Sequence, residues 1–266
     1  MANEQVTIEK ERGFFALLRG ILWRPRATLN YLSGARRRWW ALLALAALAA
    51  GALQGVAFRL TDAEYRHQQQ QQQAEQLERP RPGVEMPMME YASPHPLIVW
   101  VPVLGQTLGS IASWLIWAGA FYLAGTFFGQ NGAKFGALLA MTIWAGTPYM
   151  LRNLLQGIYM LVTRVPIYNQ GLAGLVWDSA PQAMAFGNDF FMPMMPGTGQ
   201  LVAAALLGKV DFYWCWNIWL LVLGVMAFVK LSRKKALLVT LGLWLLFTLP
   251  SLLPALVGLG GGGMAY

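Results

Sequence analysis

Four residues of one apolar run are of types that could do chemistry inside a membrane: Pro148, Arg152, Asn153 and Gln156, within Phe135 to Val162. An ionisable residue in a spanning segment is a functional candidate by default, because its desolvation has to be compensated by a partner. Depth qualifies this. Arg152 lies eighteen residues after Lys134, about 27 Å at helical rise, close to the far interface where a long side chain can snorkel. Two readings stay open, a structural anchor and a contact with a buried partner or substrate. Pro148 removes a backbone donor and predicts a kink just before these residues. Together with Thr142 and Thr147 they are the residues from which a polar transport pathway could be assembled.

Other chemistries find no residues to run on. There is no GxSxG, Walker loop, HExxH or CxxC, and so no nucleophile elbow, phosphate cradle, zinc helix or redox pair. No two carboxylates share a span, which excludes a proton relay and an aspartyl mechanism. His67 and His95 lie far apart in one loop without a close third ligand, which argues against a metal. Met184, Met192, Met194 and Met195 are soft enough for copper. Without nearby Cys or His, and beside Phe190 and Phe191, they read as an adaptable hydrophobic contact surface. Cys215 is the only cysteine, so no intrachain disulfide can form. The expectation is a chain that is no enzyme and binds no metal or cofactor itself.

The elements that position these residues are apolar helices. Of the residues, 56% are hydrophobic and 12% charged, with twelve Trp, about half the charged fraction of a soluble domain. From Asp211 to Pro250 two apolar runs flank Lys230, Arg233, Lys234 and Lys235, giving a transmembrane hairpin with a cationic tip. Short Lys/Arg-rich loops stay cytoplasmic, which places Asp211 and the belt Phe212, Tyr213, Trp214 and Trp216 at the opposite face. The +8 net charge fits this arrangement without nucleic acid, since thirteen of the twenty Lys and Arg fall in Lys10 to Arg38, at Lys134 and in Lys230 to Lys235.

The fold class expected is all-α, a polytopic membrane protein of five transmembrane helices at about 39–59, 104–128, 135–162, 211–230 and 236–259. The N-terminus would be cytoplasmic and the C-terminus external, in the cell membrane. Residues 1–38 form a basic segment that suits anionic lipids. In it Phe14, Phe15, Leu17, Leu18, Ile21 and Leu22 share one arc opposite Arg12 and Arg19, predicting a helix lying in the interface. Residues 60–96, with six consecutive glutamines, and 164–210 read as external inserts, the first as an extended or unfolded loop. Residues 260–266 form a flexible tail. Pro102 is expected to separate an interfacial segment from the true second span. Gly51 and Gly55 form a GxxxG pair taken as packing, and Gly105, Gly109, Ser113 and Gly125 extend small-residue packing along the second span. The functional expectation is a non-catalytic membrane subunit or scaffold, with a transporter as the alternative.

The segments ILWRPRATLNYL, AFYLAGTFFG, AGTPYMLRNLL, DFYWCWNIWLLVLGVMAF and SRKKA resemble those of the YIP family, the Ypt/Rab GTPase-interacting membrane proteins, in its prokaryotic branch. The resemblance covers roughly Gly20 to Gly258 outside the two inserts. It implies a multi-pass helical protein without enzymatic activity and other integral membrane proteins as partners, ABC-type exporters among them. It assigns Pro25, Gly125, Pro148, Asp211 and Trp219 as structural positions. The Asp-Leu-Tyr-Gly-Pro type motif of the eukaryotic members is absent, which puts Rab binding in doubt.

Overall fold

A computed structural model describes residues 13–34, 39–77, 96–128, 133–176 and 198–253. The expectations for Met184, Met192, Met194, Met195 and His95 lie outside the described residues, as does the 260–266 tail. The chain is all-α, with no strand among the described residues. Its helices are α1 (Phe14–Trp23), α2 (Pro25–Gly34), α3 (Trp40–Leu77), α4 (Pro96–Phe127), α5 (Phe135–Ala145), α6 (Thr147–Thr163), α7 (Thr198–Leu207), α8 (Phe212–Phe228) and α9 (Arg233–Thr248).

Among the described residues two helical stretches, Trp40–Gln69 and Trp100–Phe127, are long and apolar enough to cross a membrane, and a third if Gly199–Leu207 and Phe212–Phe228, bent by 61°, count as one span. The remaining apolar helices are shorter than one crossing. The α8 and α9 helices have 17 and 16 residues, about 25 Å at helical rise against a core of about 30 Å.

Three expectations are corrected. The glutamine run is not an extended loop where it is described, because α3 continues unbroken for 38 residues to Leu77. Glutamine is a good helix former, and extending an existing helix avoids the cost of nucleating one. Pro102 does not interrupt the second apolar run, and α4 carries it as an interior residue. It lies six residues from the start, so the carbonyl left without a donor belongs to the first turns, which are the least dependent on interior bonding. Nor does the whole arc of α1 face lipid. Leu17 and Ile21 are buried in the protein core, while Phe15 and Trp23 are 80% and 78% exposed.

The α8 helix sits at the centre, packed against α2, α5, α6 and α9. The α1–α2 corner closes tightly at Gly20, where an added Cβ would collide with Thr28. Helices α4 and α9 run antiparallel, whereas α3 and α6 run parallel. At one end Lys235 lies 5.4 Å over the Phe128 ring, bringing the start of α9 to the end of α4. At the other, Arg164 pairs with Glu64 at 3.1 Å, bringing the end of α6 to the C-terminal part of α3. The largest helix interface is α3 on α6.

Candidate functional site

The polar residues converge where α5 breaks and α8 begins. Helix α5 ends at Ala145, Gly146 caps it, and α6 starts at Thr147 with Pro148 in its first turn. Pro148 has no N–H to give to Trp144, and the Tyr149 N–H bonds instead to the Gly146 carbonyl at 3.0 Å. Two carbonyls therefore lose their helical donors. The Thr147 hydroxyl donates to the Trp144 oxygen at 2.7 Å, and the Asn217 amide of α8 donates to the Ala145 oxygen at 2.8 Å. A broken helix inside a bundle is tolerated when neighbouring side chains re-satisfy its backbone in this way. Asn217, 8% exposed, escaped the sequence reading, although a lone amide six residues into an otherwise apolar helix was the available signal.

Replacing Asn217 by leucine keeps the volume but leaves the Ala145 carbonyl buried without a donor. The expected loss is about 1–3 kcal/mol of stability, read as a lower Tm of the detergent-solubilised chain. An unchanged Tm would show that the bond contributes nothing there.

One turn further along α6, Arg152 Nη1 lies 3.0 Å from Asp211 Oδ2, with side chains 18% and 16% exposed. The other carboxylate oxygen of Asp211 accepts from the Trp214 backbone N–H at 2.6 Å, so the same residue caps α8. An N-cap acceptor satisfies one of the four free donors of a helix start, and its negative charge suits that end of the dipole. The Arg152 guanidinium also stacks over Tyr149, 4.9 Å from the ring centre. Arg152 is thus an internal tie between α6 and α8. The sequence nominated Arg152 and Asp211 separately, and the structure joins them.

The other nominated residues scatter. The Asn153 amide lies against Gly51, and Gln156 is half-buried on α6. Gly55 meets Gln106 and Val103 of α4 so closely that a Cβ would sit 2.9 Å from the Gln106 amide oxygen. There Gln106 donates to Gln54 at 3.1 Å. Gly125 is buried. Gly105 and Gly109 have nothing within 4 Å of an added Cβ, so the expected packing along this part of α4 is not made among the described residues. At Gly224, not singled out by sequence, an added Cβ would lie 2.7 Å from Met141 Cγ of α5. Thr142 bonds its own helix, to the Leu138 carbonyl at 2.9 Å.

Beyond α6 the chain is tied back to α3. Asp62 accepts from the Tyr168 hydroxyl at 2.7 Å and from Arg66 Nε at 3.0 Å. Burial, and then the bond to Asp62, push the Tyr168 phenol above its ordinary range. Gly171, at φ 59°, turns the chain so closely past the carbonyls of Leu207, Gly208 and Val210 that only glycine fits. Among the described residues no group of His, Cys, Asp and Glu could hold a metal ion.

No curated protein and no solved structure matches this chain. A family model described as Yip1 domain matches residues 19–253.

Proposed function

The chain belongs to the Yip1 domain family, and from that membership we propose that it is a non-catalytic integral membrane subunit or scaffold of a larger complex. Its partners are other integral membrane proteins, with an ABC-type exporter as the class the family resemblance implies. The proposal includes five spans, a cytoplasmic N-terminus and an external C-terminus in the cell membrane. Lys235 lies over the Phe128 ring at the end of α4, six residues before Lys134, which supports placing the basic loop Lys230 to Lys235 and the α4–α5 connection on one side.

The observation that carries the reading is the outward face of α4. Leu104, Leu108 and Leu115 are exposed beside Gly105 and Gly109, whose Cβ positions open onto empty space. In a membrane, small residues let a second helix approach closely. Here they meet none of the described residues of this chain. A transporter is less well supported, because three of the five polar residues it would need are engaged internally: Arg152 with Asp211, Thr142 with the Leu138 carbonyl and Thr147 with the Trp144 carbonyl.

The test is a Gly105→Leu/Gly109→Leu double substitution in the full-length tagged chain, purified gently from native membranes. The Tm should stay within about 0.5 kcal/mol equivalent of wild type, the usual range for substitutions that touch nothing, while stoichiometric partners are lost. Full partner retention would sink this face as the contact. A wild-type chain that purifies alone and homogeneous would remove the subunit reading altogether.

A further inference from the structure

The face of α8 that does not enter the core lines an open groove. Phe212, Cys215, Trp216 and Trp219 form its floor, Leu151 of α6 one wall, and Leu22 and Trp23 at the end of α1 the other, enclosing about 600 Å³. That volume falls within the roughly 300–1,000 Å³ typical of sites for small ligands. From Phe212 to Trp219 the floor rises about 10 Å along the helix. Its lining is almost wholly apolar, and Phe212 and Trp219 are 71% and 50% exposed.

Two exposed arginines follow the α1 wall in sequence, Arg24 directly after Trp23 and Arg26 in the first turn of α2. Phe14 to Gly34 contains no Asp or Glu, and the acidic group at the start of α8, Asp211, is already paired with Arg152. An apolar groove with exposed arginines directly following its Trp23 wall complements a molecule with a long apolar tail and an anionic end. We propose that the groove binds one acyl chain of an anionic glycerophospholipid, with Arg24 and Arg26 holding its phosphate. Arginine presents a fork of donors that matches phosphate oxygens in pairs, and the aromatic walls give the chain flat apolar surfaces to lie against.

Cys215 makes the groove directly readable, because it is the only cysteine in the chain and is exposed within the lining. The full chain is placed in vesicles of phosphatidylcholine, alone or with phosphatidylglycerol, and alkylation of Cys215 by a membrane-permeant maleimide is timed. Lipid retained by the chain is identified by native mass spectrometry. Alkylation should be slower when phosphatidylglycerol is present, and phosphatidylglycerol should be retained in preference to phosphatidylcholine. Arg24→Gln/Arg26→Gln should reduce that preference roughly fivefold per arginine removed while leaving some lipid in place. Cys215→Trp, which fills the groove at an exposed position, should abolish retention of either lipid.

Equal alkylation and retention with the two lipids would overturn the proposal, as would wild-type retention by Cys215→Trp, which would mean that the lipid lies elsewhere on the surface. Equal protection of Cys215 in lipid-free detergent would show that another part of the chain or a second copy covers the groove, and would overturn it too.

Discussion

Replacing Asp211 by alanine is expected to destabilise the solubilised chain by about 3 kcal/mol, followed as thermal unfolding by tryptophan fluorescence. Two roles are lost together. Loss of an N-cap acceptor costs about 1 kcal/mol, and the Trp214 N–H at the start of α8 would be left without its 2.6 Å acceptor. Arg152 would also lose its carboxylate at 3.0 Å. Removing one partner of a fully buried pair costs about 3–5 kcal/mol. With both side chains about one-sixth exposed, about 2 kcal/mol is the appropriate share.

Asp211→Asn separates the roles, since asparagine caps as well as aspartate and carries no charge. It should cost about 2 kcal/mol, less than alanine. Adding Arg152→Met to Asp211→Asn removes the unpaired cation and should return stability to within about 1 kcal/mol of wild type, because a pair replaced on both sides by neutral groups is often nearly neutral. With Arg152→Met alone as the fourth corner, the cycle isolates the coupling energy of the pair. If Asp211→Asn proved as stable as wild type, the Arg152 contact would be a surface pairing of no energetic consequence.

The second large effect is expected at Gly157. An added Cβ there would lie 3.1 Å from Leu53 Cγ and 3.2 Å from the Cα and backbone nitrogen of Gln54. Two of these three atoms are main chain and cannot swing aside. Gly157→Leu must therefore push α6 away from α3 at their largest interface, disturbing the Gln54–Gln106 bond on the other side of α3. Overpacking of this kind costs about 3 kcal/mol. A drop in Tm and in recovered folded yield should follow, against little change for leucine at Gly105, whose Cβ position is open. Equal tolerance at both positions would mean that α3 and α6 are free to separate.

The two glycines show what kind of information a sequence holds. Both are small residues in apolar helices, and the spacing of Gly105 to Gly109 marked that pair as packing residues while Gly157 drew no attention. Periodicity says that a face is small. It does not say which helix lies opposite, because that depends on how distant segments are placed around α8.

The same division runs through the candidate site. The apolar runs, their helical nature and the unusual group Pro148, Arg152, Asn153 and Gln156 were legible, since each is set by composition and short-range spacing. The break at Gly146 followed from proline lacking a donor. Asp211 stood out as an acid at the head of an aromatic helix. What could not be read was that Arg152 and Asp211, 59 positions apart, pair with each other, or that Asn217 completes the backbone bonding of a helix 72 positions earlier.

The chain by itself determined that this is an all-helical, membrane-type protein of the Yip1 domain family without the motifs of the enzyme classes considered, because apolar helix-length runs and residue types are local properties of the sequence. Tertiary structure alone decided that α1 contributes Leu17 and Ile21 to the core, that Arg152 is an internal tie, and that Trp23 and the Trp216–Trp219 face of α8 enclose a groove. The physical reason is the same in each case. Burial and pairing energies belong to contacts between segments remote in sequence, and apolar helices of similar composition do not encode in their own residues which neighbours they will meet.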